Sequence, residues 1–183
     1  MQLIESKIKD VLLFVDLLQK DNRGYFRRLF CKENYNEILG NREILQINHS
    51  LSLSKGNIRG MHYQLPPNAE LKIIRCTRGS VFDVCVDLRS QSDTFLNWMG
   101  VELSLENNNV IVIPEGFAHG FQALEDNSEL VYLHTNFYAP ESERTLRYDD
   151  PHINIKWPII PNLVSQKDLN QPFINKDFKG IFL

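Results

Sequence analysis

Between residues 44 and 137 the chain breaks into short runs rich in β-branched and aromatic residues, at 44–49, 71–78, 81–88, 98–105, 110–113, 117–124 and 129–137. Runs of this length and composition read as strands. Turn-forming clusters separate them: Arg78-Gly79-Ser80, Asn107-Asn108-Asn109 and Glu125-Asp126-Asn127. Helical periods are scarce between them, which points to an antiparallel sandwich or barrel. One short helical turn is expected at 33–39. The last thirty or so residues carry Pro151, Pro158, Pro161 and Pro172, so they are expected to wrap the strands as irregular chain. A length of 183 residues, with no repeat or long linker, suits one domain over 1–183.

Charge narrows the partners. The net charge is −3 and no basic stripe stands out. Binding of nucleic acid through phosphates needs clustered Lys and Arg, so that class is set aside. Cys31, Cys76 and Cys85 are widely spaced and form no C-x-x-C pair. A disulfide framework or a structural zinc site is not expected, and a reducing cytoplasm is the natural compartment. The apolar run at 11–15 is too short for a secretory core, and no stretch approaches the roughly 20 apolar residues that span a bilayer.

The densest local motif is Arg59-Gly60-Met61-His62-Tyr63-Gln64. Strict alternation in a strand would put His62 and Gln64 on the face of Gly60, with open space beside the imidazole. A histidine beside a gap and near a fixed positive charge suits proton chemistry on an anionic ligand. A half-buried histidine in a tight strand pair fits these six residues as well. In Pro114-Glu115-Gly116-Phe117-Ala118-His119-Gly120-Phe121, two glycines bracket His119, and glycine permits close approach of a backbone to a ligand. A tight β-corner reads equally well there. Arg23-Gly24-Tyr25-Phe26, followed by Arg27 and Arg28, could hold phosphates and stack a base, or be a solvated edge strand.

Face arithmetic adds two more groups. Lys72 shares a face with Ile74 and Cys76, and Tyr132 with Leu130, His134 and Asn136. Either both polar groups point inward, where a lysine must be paired or line a wet cavity, or both are solvated. A metal centre in a small β-barrel wants two histidines one residue apart on a strand, with a carboxylate. No H-x-H occurs, so no metal is expected. No G-x-S-x-G, P-loop or dinucleotide motif occurs either.

Taken in order, these segments resemble the dTDP-4-dehydrorhamnose 3,5-epimerase family. They are Arg23-Gly24-Tyr25-Phe26, Gln46-Ile47-Asn48-His49-Ser50, the Arg59–Gln64 motif, Lys72, Arg78-Gly79-Ser80-Val81-Phe82-Asp83-Val84, Asp87-Leu88-Arg89, the Pro114–Phe121 motif, Tyr132, Tyr138-Ala139-Pro140 and Asp149-Asp150-Pro151. The likeness runs from about Arg23 to about Asp168. It implies an all-β, cupin-type jelly-roll barrel of antiparallel strands with a few short helices, working as a homodimer with no metal and no cofactor. It implies an epimerase on a nucleotide-linked 4-keto-6-deoxy sugar. On this resemblance His62 is the base, Asp168 its orienting carboxylate, Tyr132 the acid on the far face and Lys72 the cation at the enolate. Arg23, Phe26, Gln46, Asn48, Arg59, His119, Tyr138, Glu143 and Lys167 fall at substrate-binding positions.

The chain departs from the family pattern in places. Arg28 stands where a glutamate is usual, Leu71 where a glycine is common before Lys72, and Leu133 where a lysine is common after Tyr132. An extra residue lies between Asn48 and Arg59. The two leucines each sit beside a catalytic position, so a reshaped sugar pocket is expected from them. Inversion of C3 or C5 alone, another substrate such as a GDP-linked 4-keto-6-deoxyheptose, and a non-catalytic sugar-nucleotide binding module are the alternatives.

Overall fold

The apolar runs become strands in the computed structural model, which describes residues 2–4 and 6–183. One antiparallel sheet has six strands, numbered in chain order and lying in the order β1 (Gln2–Ile4), β2 (Leu12–Val15), β10 (Asn109–Ile113), β7 (Lys72–Arg78), β12 (Ser128–His134) and β5 (Gln46–Ser52). A second has five, in the order β13 (Glu143–Thr145), β6 (Ile58–Gln64), β11 (Phe117–Ala123), β8 (Ser80–Asp87) and β9 (Trp98–Ser104). A separate hairpin pairs β3 (Gln19–Asp21) with β4 (Gly24–Phe26). The helices are α1 (Lys32–Leu39) and α2 (Gln166–Leu169). The seven expected strands are β5 and β7 to β12, each within three residues at its ends. β4 is the exposed strand that the solvated-edge reading of 23–28 allowed, while β1, β2, β3 and β13, not anticipated, are three or four residues long, too short to show a period.

Alternation along the strands builds three apolar layers. Between the sheets lie Leu13, Ile74, Cys76, Ile111, Ile113 and Leu130 from one side and Val81, Cys85, Leu103, Phe117 and Phe121 from the other. The intervening residues Ile73, Val110, Val112 and Leu133 face outward from the six-stranded sheet, where Tyr35 and Leu39 of α1 cover them. Met61, Val84, Val86 and Ala118 face outward from the five-stranded sheet, under Leu146, Ile153, Ile155, Trp157 and Ile181 of the C-terminal segment. Both sheets are thus buried on both faces, which is why Val110-Ile111-Val112-Ile113 is an unbroken apolar run with every member 1% exposed or less. Each such side chain contributes on the order of 1.5–3 kcal/mol by burial.

The outer layers are pinned by polar contacts. The buried Arg75 guanidinium reaches Asp16 (2.5 Å) and Tyr35 Oη (3.1 Å), fixing α1 on the sheet. Tyr35 and Leu39 are the buried i, i+4 pair of α1, and Gly40 at φ 57° ends it. The architecture is a jelly-roll barrel of the cupin type, all-β with two short helices. The proline-rich C-terminal segment does wrap it, as expected. No helix among the described residues is long and apolar enough to cross a membrane.

Candidate active site

A cavity of about 620 Å³ opens between the sheets, and Asn48, Arg59, His62, Lys72, His119 and Tyr132 all contribute to its wall. The wall on the five-stranded side depends on an irregularity in β6. His62 stands opposite His119 in the ladder and Arg59 opposite Phe121, so three steps on β6 match two on β11. This bulge brings Arg59 and His62, three residues apart, to the same cavity. The alternation expected from sequence is broken there, because the pairing with β11 overrides it. The glycines also serve another purpose than expected. A Cβ on Gly60 would lie 2.6 Å from His119 O and 2.7 Å from Gly120 Cα, and one on Gly120 would lie 2.6 Å from Arg59 O. They let β6 and β11 approach each other, and the expected space beside the imidazole is filled by strand backbone. Gly60 also has φ 107°, a conformation few other residues adopt.

His62 Nε2 meets Asp168 Oδ1 at 2.8 Å. The contact joins residues 106 apart in the chain. Ser165 caps α2 by accepting from Asp168 N–H at 3.1 Å, which fixes the carboxylate-bearing turn. The Asp168 side chain is 4% exposed and that of His62 34%, so the imidazole is presented to the cavity and its partner is hidden. Burial pushes the Asp168 carboxyl up, but the hydrogen bond and charge of His62, with help from Ser165 and the Gly60 N–H, outweigh it and hold it below its ordinary value. It is therefore an anion at neutral pH. Among the described residues the His62 side chain has this one partner, which leaves Nδ1 for a ligand.

The six-stranded sheet supplies the opposite wall. Tyr132 Oη is 3.0 Å from Ser50 Oγ, and its ring packs against those of His119, Phe121 and His134. Burial drives the phenol well above its ordinary pKa, and the Ser50 hydrogen bond offsets only part of this, so it stays protonated at neutral pH. Lys72 is 7% exposed. Its ammonium lies 3.3 Å from Glu70 Oε1 and donates to the His62 carbonyl at 3.4 Å. The inward reading of both polar groups holds, and the lysine is both paired and at a cavity.

His119, 5% exposed, bonds Asp83 at 2.8 Å across the β8–β11 ladder. Burial raises the Asp83 carboxyl and lowers the His119 imidazole. At the rim, Glu143 Oε2 accepts from Tyr138 Oη (2.9 Å) and Lys167 Nζ (2.5 Å), while Gln46 Oε1 accepts from Tyr138 N–H (3.0 Å). Gln46, Tyr138 and Glu143 line a smaller hollow that shares Asn48, His62, Lys72 and His134 with the main cavity. Arg23 and Phe26 line neither space; Arg23 is paired with Asp21 on the exposed β3–β4 hairpin. Arg28 lines neither as well.

The two unusual leucines do not reshape the pocket. Leu71 and Leu133 pack in the outer layer with Ile73, Tyr35 and Leu39, because each alternates with an inward-facing neighbour, Lys72 or Tyr132. Residues given no role from the sequence also shape the site: Ser50, Glu70, Asp83 and His134. Glu70 sits two positions before Lys72 and His134 two after Tyr132, so the period that placed the known residues could have found them. Among the described residues no three His, Cys, Asp or Glu side chains are grouped to hold a metal ion.

Comparison with known proteins gives consistent findings. The sequence profile of the dTDP-4-dehydrorhamnose 3,5-epimerase family matches residues 5–176. A dTDP-4-dehydrorhamnose 3,5-epimerase of Shigella flexneri is 47% identical over 180 residues, covering 97% of this chain and 99% of its own. Among solved structures, a dTDP-6-deoxy-D-glucose-3,5-epimerase from Legionella pneumophila, in complex with dTDP-4-keto-L-rhamnose, is 39% identical with a TM-score of 0.87, covering 92% of this chain and 89% of its own. A dTDP-4-dehydrorhamnose 3,5-epimerase from Bacillus anthracis, with TDP and PPi bound, is 33% identical with a TM-score of 0.90, covering 94% and 99%.

Proposed function

The chain belongs to the dTDP-4-dehydrorhamnose 3,5-epimerase family, and from that membership we propose that His62 and Tyr132 work from opposite walls of the cavity to invert C3 and C5 of a dTDP-linked 4-keto-6-deoxy sugar. The activity is that of an isomerase. Inversion of one carbon, a GDP-linked heptose and a non-catalytic module are not favoured, since relatives up to 47% identical carry the double-epimerase name. The observation that carries the assignment of roles is spatial. A His–Asp pair at 2.8 Å stands on the five-stranded side and a partly buried phenol on the six-stranded side of one cavity.

A hydrogen beside a ketone is weakly acidic, so its removal needs a base and stabilisation of the developing oxyanion. His62 Nδ1 takes the proton, since Nε2 is held by Asp168. The Asp168 anion fixes the tautomer and favours the imidazolium that forms. The Lys72 ammonium stands where negative charge grows on the C4 oxygen; preorganised charge of this kind is often the largest contribution. Tyr132 returns a proton from the other face, and that return inverts the carbon; His62 then gives its proton to water and Tyr132 regains one from water before the next inversion. No electrons leave the sugar, so the chemistry calls for no redox group. Arg59 and Lys167 supply positive charge for the diphosphate, and Asn48, Gln46, His119, Tyr138 and Glu143 contact the remainder.

The experiment is exchange in D₂O with the dTDP-linked 4-keto-6-deoxy sugar, followed by NMR. Deuterium should enter at both C3 and C5 of the inverted product. A substrate recovered fully protonated, with the protein folded, would end the proposal.

The reading extends to a homodimer. Arg23 and Phe26 are exposed on a hairpin away from the cavity of their own chain. β5 is an edge strand carrying exposed Ile47 and Leu51, with Leu45 and Leu53 at its ends. An apolar edge of this kind favours pairing with another chain. A second copy would bury it and offers the route by which Arg23 and Phe26 reach a substrate. Sedimentation at assay concentration should give twice the chain mass; a fully active monomer would remove the second copy from the scheme.

A further inference from the structure

Two buried titratable groups on the six-stranded wall are left unused by the proton transfers. The side chains of Glu70 and His134 are 9% and 10% exposed, and they bond each other at 2.7 Å, Glu70 Oε2 to His134 Nδ1. The other Glu70 oxygen lies 3.3 Å from Lys72 Nζ. One carboxylate therefore serves two neighbours, which the ladder sets side by side by pairing His134 with Lys72. The second ring nitrogen of His134, Nε2, faces Asn48 Nδ2 at 3.3 Å. An amide NH₂ only donates, so Nε2 accepts and the proton of a neutral ring sits on Nδ1, pointing at Glu70. The same ring stacks on Tyr132, with centroids 6.2 Å apart and planes at 30°.

An ammonium carries three donors and no acceptor. In Lys72 one goes to Glu70 and one to the His62 carbonyl. That leaves one N–H for the cavity that Lys72 lines. Burial pushes the Glu70 carboxyl up, but His134 and Lys72 outweigh it and keep it an anion. A flexible four-carbon stem loses rotational freedom when held in this way, and a held charge does not need to reorient as the enolate forms.

We infer that Glu70, held by His134, is a positioning residue that sets the Lys72 ammonium for the reaction. The inference rests on the role given above to Lys72. Neither Glu70 nor His134 is required to exchange a proton with substrate.

Glu70→Gln keeps the size and one hydrogen-bonding oxygen but removes the charge. It should lower kcat by about a hundredfold, the loss expected from a misplacement of about 1 Å, with KM little changed. Binding of dTDP and the melting temperature should stay near the parent values. A residue that acts through Lys72 has nothing left to position once that lysine is gone. Adding E70Q to K72M should therefore cost less than about a further twofold in kcat. Should E70Q not fold, H134Q is measured in the same K72M cycle and should show the same non-additivity. An E70Q enzyme with parental kcat, or losses that multiply independently with K72M, overturns the inference while leaving the Lys72 role intact. A K72M enzyme with parental kcat removes that role and this inference with it.

Discussion

Replacing His62 with alanine should abolish deuterium entry at both C3 and C5 and lower kcat by about 10²–10⁴-fold, the usual worth of a positioned base. The size of the effect follows from the arrangement around the ring. Asp168 holds Nε2 at 2.8 Å, is itself 4% exposed, and stays ionised. Among the described residues no other imidazole at the cavity has this combination: His49 meets Glu129 at 3.1 Å, but that carboxylate is 26% exposed. His119 is tied to a carboxylate that burial pushes toward its neutral form, and burial lowers the His119 imidazole too. His134 is bonded through both nitrogens. Truncation also leaves the 4%-exposed Asp168 carboxylate without its imidazole partner, which should cost about 1–3 kcal/mol of stability without unfolding the chain. Circular dichroism of the variant should match the parent. Retained exchange at either carbon in the folded variant would strip His62 of the base role at that carbon.

Tyr132→Phe should separate the two halves of the reaction. His62 can still remove and return a proton on its own face, so deuterium should continue to enter the recovered substrate. Delivery to the far face loses its donor, and inverted product should fall by about 10²–10⁴-fold. The ring contacts with His119, Phe121 and His134 survive the change, and only the hydroxyl bonded to Ser50 is lost. Loss of that one neutral hydrogen bond should cost about 0.5–1.5 kcal/mol of stability. Exchange and inversion that fall together, in equal proportion, would place Tyr132 in proton removal as well. Inversion at the parental rate would exclude it as the acid.

The strands show how far local pattern reaches. A strand buried on one face alternates, and a strand buried on both is apolar throughout. Both patterns occur here, so β7 to β12 were visible within a few residues. The short strands β1, β3 and β13 were not, since three residues hold no period, and β13 takes its place only from pairing with the distant β6. The same alternation explains why Leu71 and Leu133 proved harmless to the pocket. Each lies one position from an inward-facing group, and one position in a strand is the opposite face.

What the chain carries locally is which residues share a strand face: Lys72 lies with Ile74 and Tyr132 with Leu130, a period that needs no partner to be read, while the packed sheets alone make that face the inner one. Three further matters belonged to the tertiary structure alone. The bulge that aims Arg59 and His62 together exists only against β11, because register is a property of a strand pair. The meeting of Asp168 with His62 closes a loop of more than a hundred residues, and no local spacing encodes a contact of that reach. The exile of Arg23 and Phe26 from their own chain's cavity follows from where a small hairpin docks, a choice made by packing rather than by period.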